Sequence, residues 1–214
     1  MTTLLLIRHG QSCANRDSLF IGQTDSPLSE LGFVQAARTA EYVTANYRVD
    51  KVYASDLSRA YHTGKAVADR LGLEVIPDKD LRELNLGIWE NVRFKEMYDR
   101  GEQFFLDWEE KIGRMVCPGG EAVAELQKRA VEAIDRIARE NEGKTVAVAS
   151  HAATIRSIQC FFEGKTLDEM KDVPWVSNAS VTVLTYENGK MTVVSAGYDE
   201  HLKNGSSFWQ RIDV

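Results

Sequence analysis

The chain has 214 residues and a formal charge of −6 at pH 7, with 43% hydrophobic and 27% charged side chains. Such a length and composition fit one globular α/β domain with a substantial core, while the acidic balance excludes a broad nucleic-acid footprint. The Lys and Arg residues form no run that reads as a membrane patch, and no window approaches the ~18 apolar residues of a membrane span. The apolar start is too short for a secretory signal, and Cys13, Cys117 and Cys160 are odd in number and far apart, so a reducing cytoplasm is the expected location.

In chain order, Thr3 to Ile7 is an unbroken apolar run that reads as a strand buried on both faces and stopping at Arg8-His9-Gly10. Pro27-Leu28-Ser29 then leads into a helix from Glu30 to Tyr47, with Ser29 as N-cap. A strand is expected over Lys51–Ser55, a helix over Leu57–Leu71 stopped by Gly72, and a third strand over Leu73–Ile76. Val92 to Val116 is a polar and aromatic insertion that suits a lid, broken off by Cys117-Pro118-Gly119-Gly120. Glu121 to Glu142 has the apolar spacing of one long helix, Thr145–Ala149 reads as a buried strand delivering Ser150-His151, and a helix follows through Phe162. Val181–Tyr186 and Met191–Ser195, joined by Asn188-Gly189, form an expected antiparallel hairpin.

The expected architecture is a three-layer α/β/α sandwich, a single domain over residues 1–214, with a mostly parallel sheet carrying an antiparallel element. In such sheets ligands bind at the carboxyl ends of the strands, and two strands deliver histidines there, His9 and His151. Arg8 beside His9 adds a permanent cation with a planar fork of donors, which favours a bound phosphate or carboxylate over a metal ion.

The stretch Leu6-Ile7-Arg8-His9-Gly10-Gln11-Ser12, with Asn15 downstream, resembles the signature of the histidine phosphatase superfamily, the phosphoglycerate mutase-like family. The resemblance continues through Gly22 to Ser29, Gly32 with Gln35-Ala36, Ser55 to Ala60, Leu81-Arg82-Glu83 and Ser150-His151, in order as far as about Arg156. It implies that His9 is the nucleophile that takes the phosphoryl group, and that Arg8, Arg59 and His151 surround the phosphoryl oxygens with positive charge. It also implies that Asn15, Gln23 and the amide of Ala152 contribute hydrogen bonds, and that Glu83 protonates the leaving group from a partly buried carboxyl with a raised pKa. A backbone carbonyl near Gly10 is expected to hold the other nitrogen of the His9 ring.

The resemblance departs from the family at Ala152-Ala153, where two glycines are usual. Gly87-Ile88-Trp89-Glu90-Asn91 resembles the phosphatase branch, and the longer insertion of the mutases is not visible. The implied function is an acid phosphatase-like, metal-independent phosphomonoesterase acting on a small phosphorylated metabolite, with no cofactor, nucleic acid or membrane partner. A homodimer is compatible with this, a phosphoglycerate mutase is the alternative, and a non-catalytic phospho-ligand sensor is the more distant one. His62 and His201 read as structural or solvent-exposed, Phe104, Phe105 and Trp108 as a core face, and Asp99, Glu102, Asp107, Glu109 and Glu110 as a solvated one.

Overall fold

The computed structural model describes residues 1–99 and 103–203, except for the side chains at positions 104–106 and 109. Strands β1 (Thr2–Arg8), β2 (Lys51–Ala54), β3 (Val75–Pro77), β4 (Thr145–Ser150), β5 (Val181–Glu187) and β6 (Lys190–Tyr198) form one sheet in the order β3-β2-β4-β1-β5-β6. The first four run parallel, while β5 pairs antiparallel with β1 and β6 antiparallel with β5. The helices are α1 (Cys13–Arg16), α2 (Glu30–Asn46), α3 (Ser58–Leu71), α4 (Phe94–Asp99), α5 (Gln103–Glu110), α6 (Val123–Glu140), α7 (Ala152–Phe162) and α8 (Glu200–Lys203).

The apolar run of β1 is continuous because both faces of the sheet are covered. Leu4 and Leu6 join Ile134, Ile137, Ile155 and Ile158 of α6 and α7 in one core. Leu5 and Ile7 point the other way, to Ala40 and Val43 of α2 and Val67 and Ala68 of α3. None of the four is more than 1% exposed, so each contributes about 2 kcal/mol of burial.

Local signals set several boundaries. Ser29 caps α2 through its side chain, which accepts from the Gly32 amide, and Gly72 ends α3 in the left-handed region at φ 66°. Asn188 and Gly189, at φ 52° and 80°, make the tight turn between β5 and β6. The third strand begins two residues later than the sequence pattern suggests, and α6 two residues later, after a turn held by Gly120 and Glu121.

The 92–116 insertion contains α4, α5 and a 3-10 turn over Ile112–Arg114. It is rooted rather than loose at its base: Met97 and Ile112 are fully buried and share a core with Leu84, Leu86, Val123 and Leu126. Trp108 stacks on Trp175 with ring centroids 5.5 Å apart and meets the edge of Phe20 at 4.6 Å. Among the described residues no helix is long and apolar enough to cross a membrane. Glu102, the side chains of Phe104, Phe105 and Glu109, and the tail from residue 204 lie outside the described residues.

Candidate active site

Parallel pairing of β1 with β4 puts Arg8 opposite Ser150, and the His9 amide donates to the Ser150 carbonyl at 2.9 Å. The two strands therefore release His9 and His151 side by side at their carboxyl ends, with ring centroids 5.1 Å apart and planes at 60°. Both rings are buried, at 4% and 0% exposure.

His9 Nδ1 lies 2.7 Å from the Gly10 carbonyl, the partner expected from the sequence. A carbonyl can only accept, so Nδ1 carries the proton and Nε2 keeps its lone pair. Burial, together with Arg59 and Arg8, holds the ring well below the ordinary histidine pKa. The ring is thus neutral near pH 7, with the lone pair of Nε2 free.

The loop that carries this ring is fixed by close approach. A Cβ at Gly10 would meet the Gly32 carbonyl oxygen at 2.4 Å, and one at Gly32 would meet the Gln11 carbonyl oxygen at 2.0 Å. The Gly10 amide donates to Thr63 Oγ1 and the Gln11 amide to Gln35 Oε1, so α2 and α3 grip the loop from the same side. From the other side, the Ala179 amide donates to the carbonyls of Arg8 and His9, and Asn178 Nδ2 to the His9 carbonyl.

Two guanidinium groups flank the histidines. Arg8 donates through Nη1 to the Val176 carbonyl at 2.6 Å, and Arg59, 0% exposed, donates to the carbonyls of Gly22 and Thr24. The Nε atoms of both are buried without a hydrogen bond. Burial draws the pKa of Arg8 down to about 10 and lowers that of Arg59, with Glu83 the first charge opposing the change in each. Both stay charged at neutral pH, leaving two buried cations whose unspent donors suit an anion.

His151 contributes differently from the fixed positive charge expected of it. Burial, then Arg59 and His9, hold it well below the ordinary histidine pKa, so the permanent charge rests on the two arginines. Its Nε2 lies 2.8 Å from Ser55 Oγ, while its Nδ1 is buried without a partner. When Ser55 donates, the ring proton sits on Nδ1, the tautomer that can give a hydrogen bond to a phosphoryl oxygen.

Glu83 is 9% exposed and bound to the start of α7. Its Oε1 accepts from the Leu84 amide at 2.9 Å, the Thr154 amide at 3.2 Å and the Thr154 hydroxyl at 3.1 Å, and its Oε2 from the Ala153 amide at 3.1 Å. Four hydrogen bonds thus converge on this side chain, three on Oε1 and one on Oε2. Arg82, the neighbour with which Glu83 could have paired at the surface, instead makes a two-pronged pair with Asp56 at 2.6 Å.

Of the neutral donors named from the sequence, Asn15 has its Oδ1 occupied by the Ser12 amide and Asn178 Nδ2, which turns its Nδ2 toward other acceptors. Gln23 Nε2 donates to the Glu83 carbonyl at 3.2 Å, so it is tied to the backbone of that residue. The amides of Ala153 and Thr154 are committed to Glu83, and the Ala152 amide heads the same helix without a hydrogen bond among the described residues.

Several supports were not legible from the sequence. Glu90 accepts from the amides of Gly22, Gln23, Thr24 and Leu86, clamping the loop that holds Arg59. Arg129 pairs with Glu121 and donates to the carbonyls of Asp80, Arg82 and Glu83. Arg129 stands in no motif; Glu90, within Gly87 to Asn91, and Gln35, beside Gly32, fall in recognised stretches, but nothing local to either names its partners. His201 is structural, stacked on Tyr42 and 2.9 Å from Thr39 Oγ1, and His62 is exposed beside Phe33. Among the described residues no group of three or more His, Cys, Asp or Glu side chains is arranged to hold a metal ion.

The family model of the histidine phosphatase superfamily (branch 1) matches residues 4–199. The metal-independent phosphoserine phosphatase of Arabidopsis thaliana is 30% identical over 95% of the chain and 84% of its own length. Phosphoglycerate mutase-like protein 4 of the same plant is also 30% identical, over 94% of the chain and 86% of its own length. The solved structure of YhfR from Bacillus stearothermophilus superposes with a TM-score of 0.88 at 29% identity, covering 94% of this chain and all of that one. The chain belongs to the histidine phosphatase superfamily.

Proposed function

We propose that the protein is a metal-independent phosphomonoesterase acting on a small phosphorylated metabolite through a phosphohistidine on His9. The observation that carries this reading is the pair of buried guanidinium groups, each with an unpaired Nε, around a neutral histidine whose Nδ1 is tied to a carbonyl. A phosphate dianion satisfies those donors and offsets the desolvation of both arginines. The neighbourhood of two fixed cations also disfavours a divalent metal ion. The relative named a metal-independent phosphoserine phosphatase supports the same chemistry.

In the first half-reaction His9 Nε2 forms a bond to phosphorus as the bond to the ester oxygen breaks, and that oxygen takes a proton from Glu83. Arg8, Arg59 and the Nδ1–H of His151 face the charge that accumulates on the phosphoryl oxygens, with the amide of Ala152 and the side chains of Asn15 and Gln23 as neutral donors. In the second, water attacks phosphorus, the bond to His9 breaks, and Glu83 recovers the proton from the water. The insertion over 92–116, rooted by Met97 and Ile112, acts as the lid that meets the leaving group.

The test is release of inorganic phosphate from p-nitrophenyl phosphate and a panel of metabolite phosphates in excess EDTA, with His9→Ala alongside. Turnover that survives EDTA and disappears in the variant is the expected result. Exchange of phosphoryl groups between phosphoglycerates without net release would replace the hydrolase by a mutase, and silence in both assays by a phospho-ligand sensor.

A further inference from the structure

Glu83 divides its hydrogen bonds unequally. Oε1 takes three donors, the amides of Leu84 and Thr154 and the Thr154 hydroxyl, while Oε2 takes the Ala153 amide alone. An ionised carboxylate oxygen offers about two in-plane lone pairs, so Oε1 is saturated and Oε2 retains acceptor capacity. The transferable proton therefore belongs on Oε2.

The Thr154 hydroxyl has a single proton and two acceptors within reach, the Arg82 carbonyl at 2.9 Å and Glu83 Oε1 at 3.1 Å. When Glu83 is ionised the charged oxygen is the stronger acceptor, and when Oε2 is protonated the carbonyl regains the advantage. Either way the buried hydroxyl is satisfied. We propose that Thr154 is a positioning residue whose hydroxyl follows the charge on Glu83, turning to Oε1 when Glu83 is ionised and to the Arg82 carbonyl when it is protonated, and so reserves Oε2 for proton transfer.

This inference rests on the reading of Glu83 as the acid and base of the reaction. The charged and titratable groups around Glu83 come from four elements: Arg8 and His9 from the end of β1, Arg59 from α3, His151 from the end of β4, and Arg129 from α6 with its partner Glu121 in the turn before it. Glu90 stands behind the Gly22–Thr24 loop, and Arg82 is taken by Asp56. Thr154→Val changes none of these and removes one neutral hydroxyl of matching shape.

The experiment is the pH dependence of kcat for an alkyl phosphate, whose poor leaving group demands protonation, in wild type, Thr154→Val, Thr154→Ser and Glu83→Gln. The ionised state of Glu83 loses one hydrogen bond in Thr154→Val, so the limb governed by Glu83 moves to higher pH by about half to one unit, a three- to tenfold change in protonated fraction. Thr154→Ser returns the limb to its wild-type position, and Glu83→Gln lacks it. A limb unmoved in Thr154→Val, whatever happens to kcat, overturns the proposal, because loss of packing alone lowers kcat without moving a titration. A Thr154→Ser profile that matches Thr154→Val also overturns it. If the Glu83→Gln profile keeps the limb, the assignment of Glu83 itself fails, a result distinct from either. Should Thr154→Val not fold, Thr154→Ala carries the same expectations.

Discussion

Glu83→Gln is commonly regarded as a mild change, but the surroundings of Glu83 make it severe. Glutamine has one carbonyl oxygen and one amide nitrogen, and the oxygen must face the three donors at Oε1, from Leu84, Thr154 and the Thr154 hydroxyl. The NH2 group then opposes the Ala153 amide, where a carboxylate oxygen accepted at 3.1 Å. One charge-assisted bond is lost and two buried donors confront each other, costing about 3–5 kcal/mol together. For a chain of this size that lowers Tm by roughly 6–20 °C. Loss of the acid in addition reduces kcat on alkyl phosphates by about 10²–10⁴-fold, with a smaller effect on p-nitrophenyl phosphate. Thermal melts by circular dichroism and steady-state kinetics at 25 °C measure both effects. A variant that melts within about 2 °C of wild type would refute the argument that the first turn of α7 is committed to this carboxylate.

Stability should fall in acid because of the two site histidines, which are neutral when folded. Below about pH 6.5 the unfolded chain binds protons that the folded site refuses, so their contribution is full above that pH and declines by up to ~1.4 kcal/mol per unit per histidine until the folded-state values are reached. Urea titrations between pH 7.5 and 5 test this, and His9→Asn should remove about one proton from the slope; an unchanged slope would mean that His9 is charged in the folded state. Arg59→Lys cannot reproduce the fork that spans the carbonyls of Gly22 and Thr24 while offering Nε to the proposed phosphoryl group, so kcat/KM should drop by about 10²–10³-fold. The same variant should lose the rise in Tm that saturating phosphate or vanadate gives the wild type, worth about 2.7 kcal/mol at a hundred times Kd. In Gly32→Ala the new Cβ would stand 2.0 Å from the Gln11 carbonyl oxygen, so the loop carrying His9 must shift; a loss of about 3 kcal/mol or more in urea unfolding, with reduced activity, is expected.

The local content of the sequence determined much of this molecule. The unbroken run from Leu4 to Ile7 required a strand covered on both faces, Ser29 and Gly72 marked the ends of helices, and Asn188-Gly189 the hairpin, because each signal acts through a few neighbouring residues. Arg8, His9, Arg59 and His151 were recognisable for the same reason, each standing within a short motif beside the end of a strand or the start of a helix. The 3-10 and helical content of 92–116 was not legible, since its apolar positions serve a core shared with α6 and α7 rather than one face of a single helix.

What only the tertiary structure decided is the charge state and orientation of those groups. Whether His151 is a cation depends on burial and on the arginines beside it, both products of the strand order β2-β4-β1. Whether Glu83 pairs with Arg82 or turns inward depends on Asp56 and the start of α7, which lie 27 residues before it and about 70 after it and meet it only in the fold. Hydrogen bonds and desolvation act over a few ångströms in space whatever the separation along the chain, so residue types can be read from the sequence while their protonation and aim require the assembled site.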